Sequence, residues 1–394
     1  MMGSSAPSIL LVAGDVSGDV HTAALAKKLL ERDPARRLYA LGGSRLCEVT
    51  ANSRGGEFLG DTTNCSAIGI PSAVKVYFRC CDLRNRLRAF LKRQRVDLAV
   101  LCDWGAFNGR MLPEIHALGI PVLYYFPPGS WWRSGPKGLG IAPYVTRVAT
   151  PFEWSAARLR GVGCDAEWVG HPALENFRPE RDRAALRRQF GVAETEKLIA
   201  SMPGSRPSEI RLLAPRLAKA AALLEHDGPL RFIAVVPEEI MSEARASLPH
   251  GFEIVTDCAT DLLLAADAAV VKTGTASLEA AIAGTPQVAI YDLDAITRAE
   301  WVVLWAWKRI PYIAMPNIIL QRQAVPELTG LKCTPTKIAA ALTRVLSDEA
   351  TRNRMLHDYT LIRQALGSNL PLSATERTAE IVDEMLGATA PAAV

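Results

Sequence analysis

Residues 265–284 read AADAAVVKTGTASLEAAIAG and decide how the second half of the chain folds. The apolar run 265–271 predicts a buried strand, and the helix-forming run 278–282 stops at Gly284. A small turn rich in hydroxyl groups joins the two, so a helix begins where a strand ends. Backbone N–H groups at such a start favour phosphate, and Glu279 could accept hydrogen bonds from a ribose. The alternative is an ordinary capped connection between strand and helix.

The same alternation of apolar strand, polar turn and helix recurs along the chain. One series begins at residues 9–13, and a second begins at residues 198–202, after a charged stretch over residues 176–196. We therefore predict an α/β fold with two Rossmann-like domains facing across a cleft, followed by C-terminal helices. The predicted bounds are residues 1–175, 176–345 and 346–394.

The composition of the chain limits the classes of protein to which it can belong. The 394 residues are 49% hydrophobic and 22% charged, enough for two cores, and the net charge of +4 does not suggest a nucleic-acid binder. The eight cysteines show no CxxC pair and no metal-ligand spacing, which indicates reduced thiols in the cytoplasm. No apolar run approaches the roughly 18 residues of a membrane span. The sequence does not fix the oligomeric state and remains compatible with a homo-oligomer.

The first turn of the second series is Pro203-Gly204-Ser205-Arg206. Gly204 and Ser205 would let a phosphate approach the backbone, and Arg206 could bind a diphosphate through two hydrogen bonds. The alternative for Arg206 is a solvated surface side chain.

Acidic residues follow strands in the first series. Asp15, Ser17, Asp19 and His21 crowd the first turn, and Asp103 follows the run VDLAVLC. Strand ends of an open α/β sheet point into the ligand crevice, so one of these groups could be a general base toward a hydroxyl. The alternative for Asp19 and Asp103 is capping of the next helix.

Asp292-Leu293-Asp294 is a DxD sequence, and such acid pairs bind a divalent metal in some enzymes. Because it follows a strand of the second series, we interpret it as an acid pair in a loop. We expect no metal and no cofactor.

Two segments have the composition of membrane-surface helices. Residues 79–95 combine basic side chains with an apolar face, and residues 301–309 combine tryptophans with Lys308 and Arg309. A solvated helix face and a buried helix, respectively, are the alternatives. The interpretation of these segments as membrane-surface helices predicts a cytoplasmic protein peripheral to the inner face of the cytoplasmic membrane.

Several motifs, in order, resemble the bacterial lipid-A-disaccharide synthases, a family of inverting glycosyltransferases of the two-Rossmann-domain (GT-B) type. The resemblance spans most of residues 8–345. Its motifs are AGDVSGDVH (13–21), AIGI (67–70), DLAVLCDWGAFN (97–108), TPFE (150–153), VGHP (169–172), MPGSRPSEI (202–210), KTGTASLEAA (272–281) and MPNIILQRQAVPEL (315–328).

The resemblance implies a UDP-sugar donor, such as UDP-2,3-diacylglucosamine, and a lipid-linked acceptor such as 2,3-diacylglucosamine 1-phosphate. The residues that it places at the donor are Ser205, Arg206, Thr273, Gly274, Thr275, Glu279, Asn317 and Glu327. The residues that it places on the acceptor side are Asp15, Ser17, Gly18, Asp19 and Asn108. Asp103 becomes the best candidate base, with Asp19 and His21 behind it.

Departures from the family pattern cluster on the acceptor side. Asp15 stands where the family usually has glutamate, residues 104–106 differ from the usual Ala-Pro-Asp, and residues 127–133 replace the usual Ser-Pro-Ser-x-Trp-Ala-Trp. Two other functions on the same scaffold therefore stay open: a UDP-sugar epimerase or hydrolase, and a nucleotide-sugar-binding protein without catalysis.

Overall fold

The computed structural model describes residues 6–14, 16–62, 65, 70–177, 181–224, 228–248, 251–292 and 311–389. The chain forms two compact units. The first contains Met1–Pro172 and Leu366–Val394, and the second contains Ala173–Ala365.

In the first unit the described residues form a seven-stranded parallel sheet in the order β3-β2-β1-β4-β5-β6-β7. The strands are β1 (Ser8–Ala13), β2 (Arg37–Gly42), β3 (Glu57–Asp61), β4 (Leu98–Cys102), β5 (Val122–Tyr125), β6 (Arg147–Thr150) and β7 (Ala166–Trp168). The helices between them are α1 (Val16–Arg32), α2 (Ser44–Ala51), α3 (Ile70–Arg93), α4 (Gly105–Ala117) and α5 (Glu153–Arg160). Because helices cover both faces, β1 and β4 are buried along their whole length.

In the second unit the described residues form a six-stranded parallel sheet in the order β10-β9-β8-β11-β12-β13. The strands are β8 (Lys197–Met202), β9 (Leu230–Val235), β10 (Phe252–Val255), β11 (Ala268–Lys272), β12 (Gln287–Tyr291) and β13 (Glu327–Thr329). The helices are α6 (Arg183–Gln189), α7 (Pro207–Ala222), α8 (Met241–Ser247), α9 (Ala259–Ala265), α10 (Thr275–Ala283), α11 (Met315–Leu320), α12 (Pro335–Ser347) and α13 (Glu349–Ala365).

Each sheet reverses its strand order at one pair of neighbours. In the first unit this pair is β1 and β4, where Ala13 lies beside Cys102, and in the second it is β8 and β11, where Met202 lies beside Val271. The loops that leave such a pair run in opposite directions and open a crevice at the carboxyl ends of the strands. The predicted turns after residues 13, 102, 202 and 272 all lie at these two places, so the predicted doubly wound topology is confirmed.

The end of the chain differs from the predicted separate segment over residues 346–394. α13 packs in the second unit, where Tyr359 is fully buried and its hydroxyl accepts a hydrogen bond from Gln287 Nε2 at 3.3 Å. The next helix, α14 (Ala374–Thr389), belongs to the first unit instead. Its apolar face, including Ala379, Ile381 and Val382, is fully buried in the core beneath β1 and β4.

Ion pairs fasten α14 to the first unit. Arg377 binds both carboxylate oxygens of Glu167, at 2.6 and 3.0 Å, and it also contacts Glu380 and Glu384 on its own helix. These carboxylates raise the pKa of Arg377. Arg32 adds contacts of 2.7 Å to Glu376 and Asp383. α14 is thus held by apolar burial and by a network of charges.

We expect Arg377→Gln to lower the free energy of unfolding of the first unit by about 1–2 kcal/mol, because it breaks a two-pronged contact at a partly exposed site. Hydrogen exchange of the α14 amides should speed up in this variant, and the difference from wild type should shrink as salt screens the network. Arg45→Gln, at an exposed position on α2, is the matched control. Unchanged exchange in α14 would show that its apolar face alone holds the helix.

Candidate functional site

The turn after β8 is built around Glu209. Gly204 has φ of +136°, and a Cβ added there would lie 2.4 Å from Glu209 Oε2, so only glycine fits. The same oxygen accepts a hydrogen bond from the backbone N–H of Ser205 at 3.0 Å. Glu209 therefore shapes the loop that presents Arg206.

The carboxylate of Glu209 also meets two cations. Lys272 Nζ, at the end of the neighbouring strand β11, lies 2.7 Å from Glu209 Oε1, and Arg206 Nη1 lies 3.7 Å from the same oxygen. The side chain of Arg206 is 40% exposed and that of Lys272 is 21% exposed. The Glu209 carboxylate thus lies near two partly solvent-exposed cations, where the strand order of the second sheet reverses between β8 and β11. Sequence reasoning overlooked Lys272, although it directly precedes the Thr273–Thr275 turn.

The start of α10 lies beside this pair. Gly274 has φ of +110°, which frees the backbone to turn from β11 into the helix without a side-chain cap. Thr273 is buried and its N–H donates to Ile290 O at 2.9 Å, whereas Thr275 is exposed at the first turn. The other N–H groups at the start of α10, together with two cations that outnumber the Glu209 carboxylate between them, give this end of the sheet a net positive charge suited to a polyphosphate.

Glu279 lies one turn further along α10, at a half-buried position. Burial raises the pKa of its carboxyl group. A carboxyl group in such a place gains from a hydroxyl partner, which suits the predicted ribose contact.

Asp292, the first acid of the DxD sequence, is paired within the protein. Its carboxylate lies 2.5 Å from Arg216 Nη2 on α7, and its side chain is 1% exposed. This ion pair occupies the Asp292 carboxylate, and the interpretation of the DxD sequence as an acid pair in a loop stays a prediction. Asp294 lies outside the described residues.

In the first unit, Asp103 stands on a strained turn. Asp103 and Trp104 have φ of +44° and +45°, a conformation that costs non-glycine residues free energy. The carbonyl of Asp103 accepts hydrogen bonds from Tyr124 Oη at 2.6 Å and Asn108 Nδ2 at 2.9 Å. Its N–H donates to Phe126 O at 3.1 Å. Burial raises the pKa of Tyr124, so the hydroxyl keeps the proton that it donates.

The turns after β1 and β4 touch each other. A Cβ on Gly14 would lie 2.1 Å from Trp104 Cγ, so the backbone of the first turn packs directly on the indole ring. Trp104 in turn stacks on Phe107, with ring centroids 4.0 Å apart. Asp103 is therefore presented, half-buried, at the β1/β4 strand reversal.

Two histidines pack beside this turn in the neutral form. His21 stacks on Phe126, with centroids 5.4 Å apart, and meets His171 edge-on at 5.7 Å. Burial lowers the pKa of His21 to about 4 and that of His171 to about 3. Ser17 Oγ lies 3.5 Å from His21 Nε2. A group with so low a pKa is a weak proton acceptor at neutral pH.

The family model for lipid-A-disaccharide synthetase matches residues 9–382, nearly the whole chain. The chain belongs to this family. A lipid-A-disaccharide synthase from Syntrophus aciditrophicus is 31% identical, covering 94% of this chain and 96% of its own length. The enzyme of that name from Myxococcus xanthus is 33% identical, with 96% and 98% covered.

Solved structures share the fold at lower identity. The calicheamicin glycosyltransferase CalG4 matches with a TM-score of 0.62 and 16% identity over 98% of this chain and all of its own. Acinetobacter baumannii MurG matches with a TM-score of 0.56 and 17% identity over 96% of this chain and 99% of its own. The expected GT-B type of fold is thereby confirmed.

Several residues of the family motifs are used inside the fold. Asp19 lies inside α1, and its Oδ1 accepts N–H groups of Gly43 at 2.6 Å and Leu46 at 3.2 Å, so it caps α2 rather than the helix that follows its own turn. Gly18 is buried in α1, and Asn108 is fully buried against the Asp103 carbonyl. Asp15 lies outside the described residues.

Asn317 and Glu327 form a second internal set. Asn317 is fully buried, its Oδ1 accepts from Ala324 and Val325, and its Nδ2 donates to Glu327 Oε2 at 3.1 Å. Glu327 also accepts the N–H groups of Ile313 and Ala314, each at 2.9 Å, just before α11. These side chains brace the start of α11, which contacts α10 where Met315 N donates to Ser277 Oγ at 3.1 Å.

Proposed function

We propose that this family member is a lipid-A-disaccharide synthase that transfers a diacylglucosamine unit from UDP-2,3-diacylglucosamine to 2,3-diacylglucosamine 1-phosphate and releases UDP. The observation that carries the proposal is the pair Arg206 and Lys272 beside the uncapped start of α10. Two cations and a helix dipole at a strand reversal fit the charge of a leaving diphosphate.

The donor site proposed here lies in the second unit. Arg206 and Lys272 bind the diphosphate, and the backbone of Thr273–Thr275 approaches its oxygens. Glu279 accepts a hydrogen bond from a ribose hydroxyl. Asn317 and Glu327 support the site by holding α11 against α10. Glu209 keeps the two cations in place before the donor binds, and its negative charge competes with the diphosphate for them.

This competition predicts opposite effects at Lys272 and Glu209. Lys272→Gln should weaken UDP binding about tenfold, because a charged hydrogen-bond partner of the diphosphate is lost. Glu209→Gln still offers an oxygen to Ser205 N–H but removes the competing charge, so UDP should bind several-fold more tightly at low salt. Calorimetric titration with UDP measures both, with Lys219→Gln, at an exposed position on α7, as the control. Weaker UDP binding by Glu209→Gln would contradict the competition.

Asp103 is the proposed general base in the first unit. Its carboxylate takes the proton of the acceptor hydroxyl, the resulting oxygen attacks the anomeric carbon, and the bond from that carbon to the diphosphate breaks, so UDP leaves with the electron pair. Asp19 is committed to capping α2, and the lowered pKa of His21 makes its imidazole a poor base. The strained, hydrogen-bonded turn holds Asp103 without the help of substrate.

Asp103→Asn keeps the shape of the side chain and removes the base, so we expect turnover to fall by about a hundredfold or more. UDP release in the presence of both acylated sugars gives the rate, and mass spectrometry of the disaccharide product identifies the transfer. UDP affinity should stay at the wild-type value, since the donor site lies in the other unit. UDP release that needs no acceptor would instead indicate a hydrolase.

The proposed substrates carry acyl chains, so the enzyme must meet them at a membrane. Among the described residues, no helix is long and apolar enough to cross one. α3 offers a surface of another kind: Tyr77 and Phe78 are 58% and 68% exposed, and their rings contact each other. Residues 77–95 carry seven basic side chains and one acid. We propose that this face of α3 docks on the anionic inner face of the cytoplasmic membrane.

The structure selects which residues of α3 to test. Arg88 binds both oxygens of Glu114 at 2.6 Å, so part of its charge is already neutralised. Leu83, Leu87 and Phe90 face the core, as the amphipathic pattern predicts. Lys92 is exposed, and residues 301–309 lie outside the described part of the chain.

Wild-type protein should co-sediment with vesicles containing phosphatidylglycerol at low salt and dissociate at high salt, because screening weakens attraction worth about 1 kcal/mol per basic residue. The double variant Tyr77→Ser, Phe78→Ser should bind these vesicles at least several-fold more weakly, and Lys92→Gln less so. Leu331→Ser removes a comparably exposed apolar side chain in the second unit and serves as the control. Equal binding by the double variant and this control would remove α3 from the proposal.

A further inference from the structure

Residues 127–140, PPGSWWRSGPKGLG, form a loop that we call the tryptophan loop. It follows β5, the strand next to β4, and so leaves the sheet beside the Asp103 turn. The contact is direct, because a Cβ added to Gly105 would lie 2.7 Å from Pro128 Cβ. The start of the tryptophan loop therefore packs against the first residue of α4, two positions after Asp103.

Arg158 on α5 fixes the shape of the tryptophan loop. Its guanidinium donates to the carbonyls of Trp132 at 2.5 Å, Gly135 at 2.6 Å and Lys137 at 2.9 Å. Trp154 Nε1 donates to Ser130 O at 3.0 Å and closes the other side. These hydrogen bonds from two side chains of one helix hold the loop in a defined conformation before any ligand binds.

The loop presents two cations on aromatic faces. The guanidinium carbon of Arg133 lies 4.0 Å from the ring centre of Trp154, and Lys137 Nζ lies 3.7 Å from that of Trp132. Such contacts hold a cation through the ring quadrupole. Within the described residues, no carboxylate oxygen lies within 4.0 Å of Lys137 Nζ. Trp131 stands beside them, 40% exposed.

We propose that the tryptophan loop is a subsite for a phosphorylated sugar, with Trp131 stacking on the sugar ring while Arg133 and Lys137 bind its phosphate. The inference rests on the proposed function, because it assigns this subsite to the acceptor. Indole faces pack against the C–H groups of a sugar ring, and cations already held by rings bind phosphate with little further loss of side-chain freedom. Arg158 is a positioning residue of the loop.

The test uses N-acetylglucosamine 1-phosphate and N-acetylglucosamine as probes, with binding followed by tryptophan fluorescence and saturation-transfer NMR. Wild-type protein should prefer the phosphorylated sugar by about tenfold, as charge-assisted hydrogen bonds to phosphate predict. The double variant Arg133→Gln, Lys137→Gln should lose this preference, and Trp131→Ala should weaken both sugars. Lys27→Gln, at an exposed position on α1, is the matched control.

The outcomes separate this inference from the proposed function. A double variant that keeps the wild-type preference for the phosphorylated sugar overturns the subsite, even if the enzyme makes its disaccharide. A wild-type protein that shows the preference, loses it in the double variant, and yet releases no UDP with the two acylated sugars retains the subsite and overturns the proposed function. Circular dichroism of the double variant checks that its fold is unchanged.

Discussion

The parallel pairing of β8 with β11 brings the two cations of the proposed donor site to the same edge of the sheet. Because Met202 lies in register with Val271, the turn that begins at Pro203 and the strand end at Lys272 reach the same edge of the sheet. Glu209 then bridges them, with Lys272 Nζ at 2.7 Å. In the first unit the pairing of Ala13 with Cys102 brings Gly14 against Trp104 in the same way. Backbone hydrogen bonding thus assembles side chains that are far apart in sequence.

Strain at Asp103 is the second constraint. A non-glycine residue in the left-handed region costs about 1–3 kcal/mol, and Trp104 repeats that cost. Hydrogen bonds from Tyr124 and Asn108 to one carbonyl offset it, and both donors are buried where an unmade bond would be costly. The turn therefore has one favourable conformation. The backbone of the proposed base is therefore already in place before an acceptor binds.

The sequence predicts the strands and turns of this fold well, because a parallel strand covered on both faces reads as a continuous apolar run. It predicts the place of α14 poorly, because an amphipathic pattern does not show which core a helix covers. α14 belongs to the first unit although the second unit precedes it in the sequence. The candidate site likewise has features that the sequence predicts and features that it does not. Arg206 and the Thr273–Thr275 turn are recognisable as strand-end features, whereas the bridge from Glu209 to Lys272 and the brace from Tyr124 depend on pairing in three dimensions.

The polar residues of the family motifs fall into two groups, according to whether their hydrogen-bonding atoms are already paired inside the fold. The side-chain oxygens of Asp19, Asn317 and Glu327 each accept hydrogen bonds from backbone N–H groups at the start of a helix or in a loop. These residues therefore stabilise the local fold. Arg206 and Lys272 share one carboxylate between two cations and keep exposed surface, as the proposed contact with a diphosphate requires. A buried polar group without a partner is costly, which explains why fully buried Asn317 has four internal hydrogen bonds. It follows that a motif read from sequence mixes two kinds of residue: those that touch the substrate and those that hold the touching residues in place.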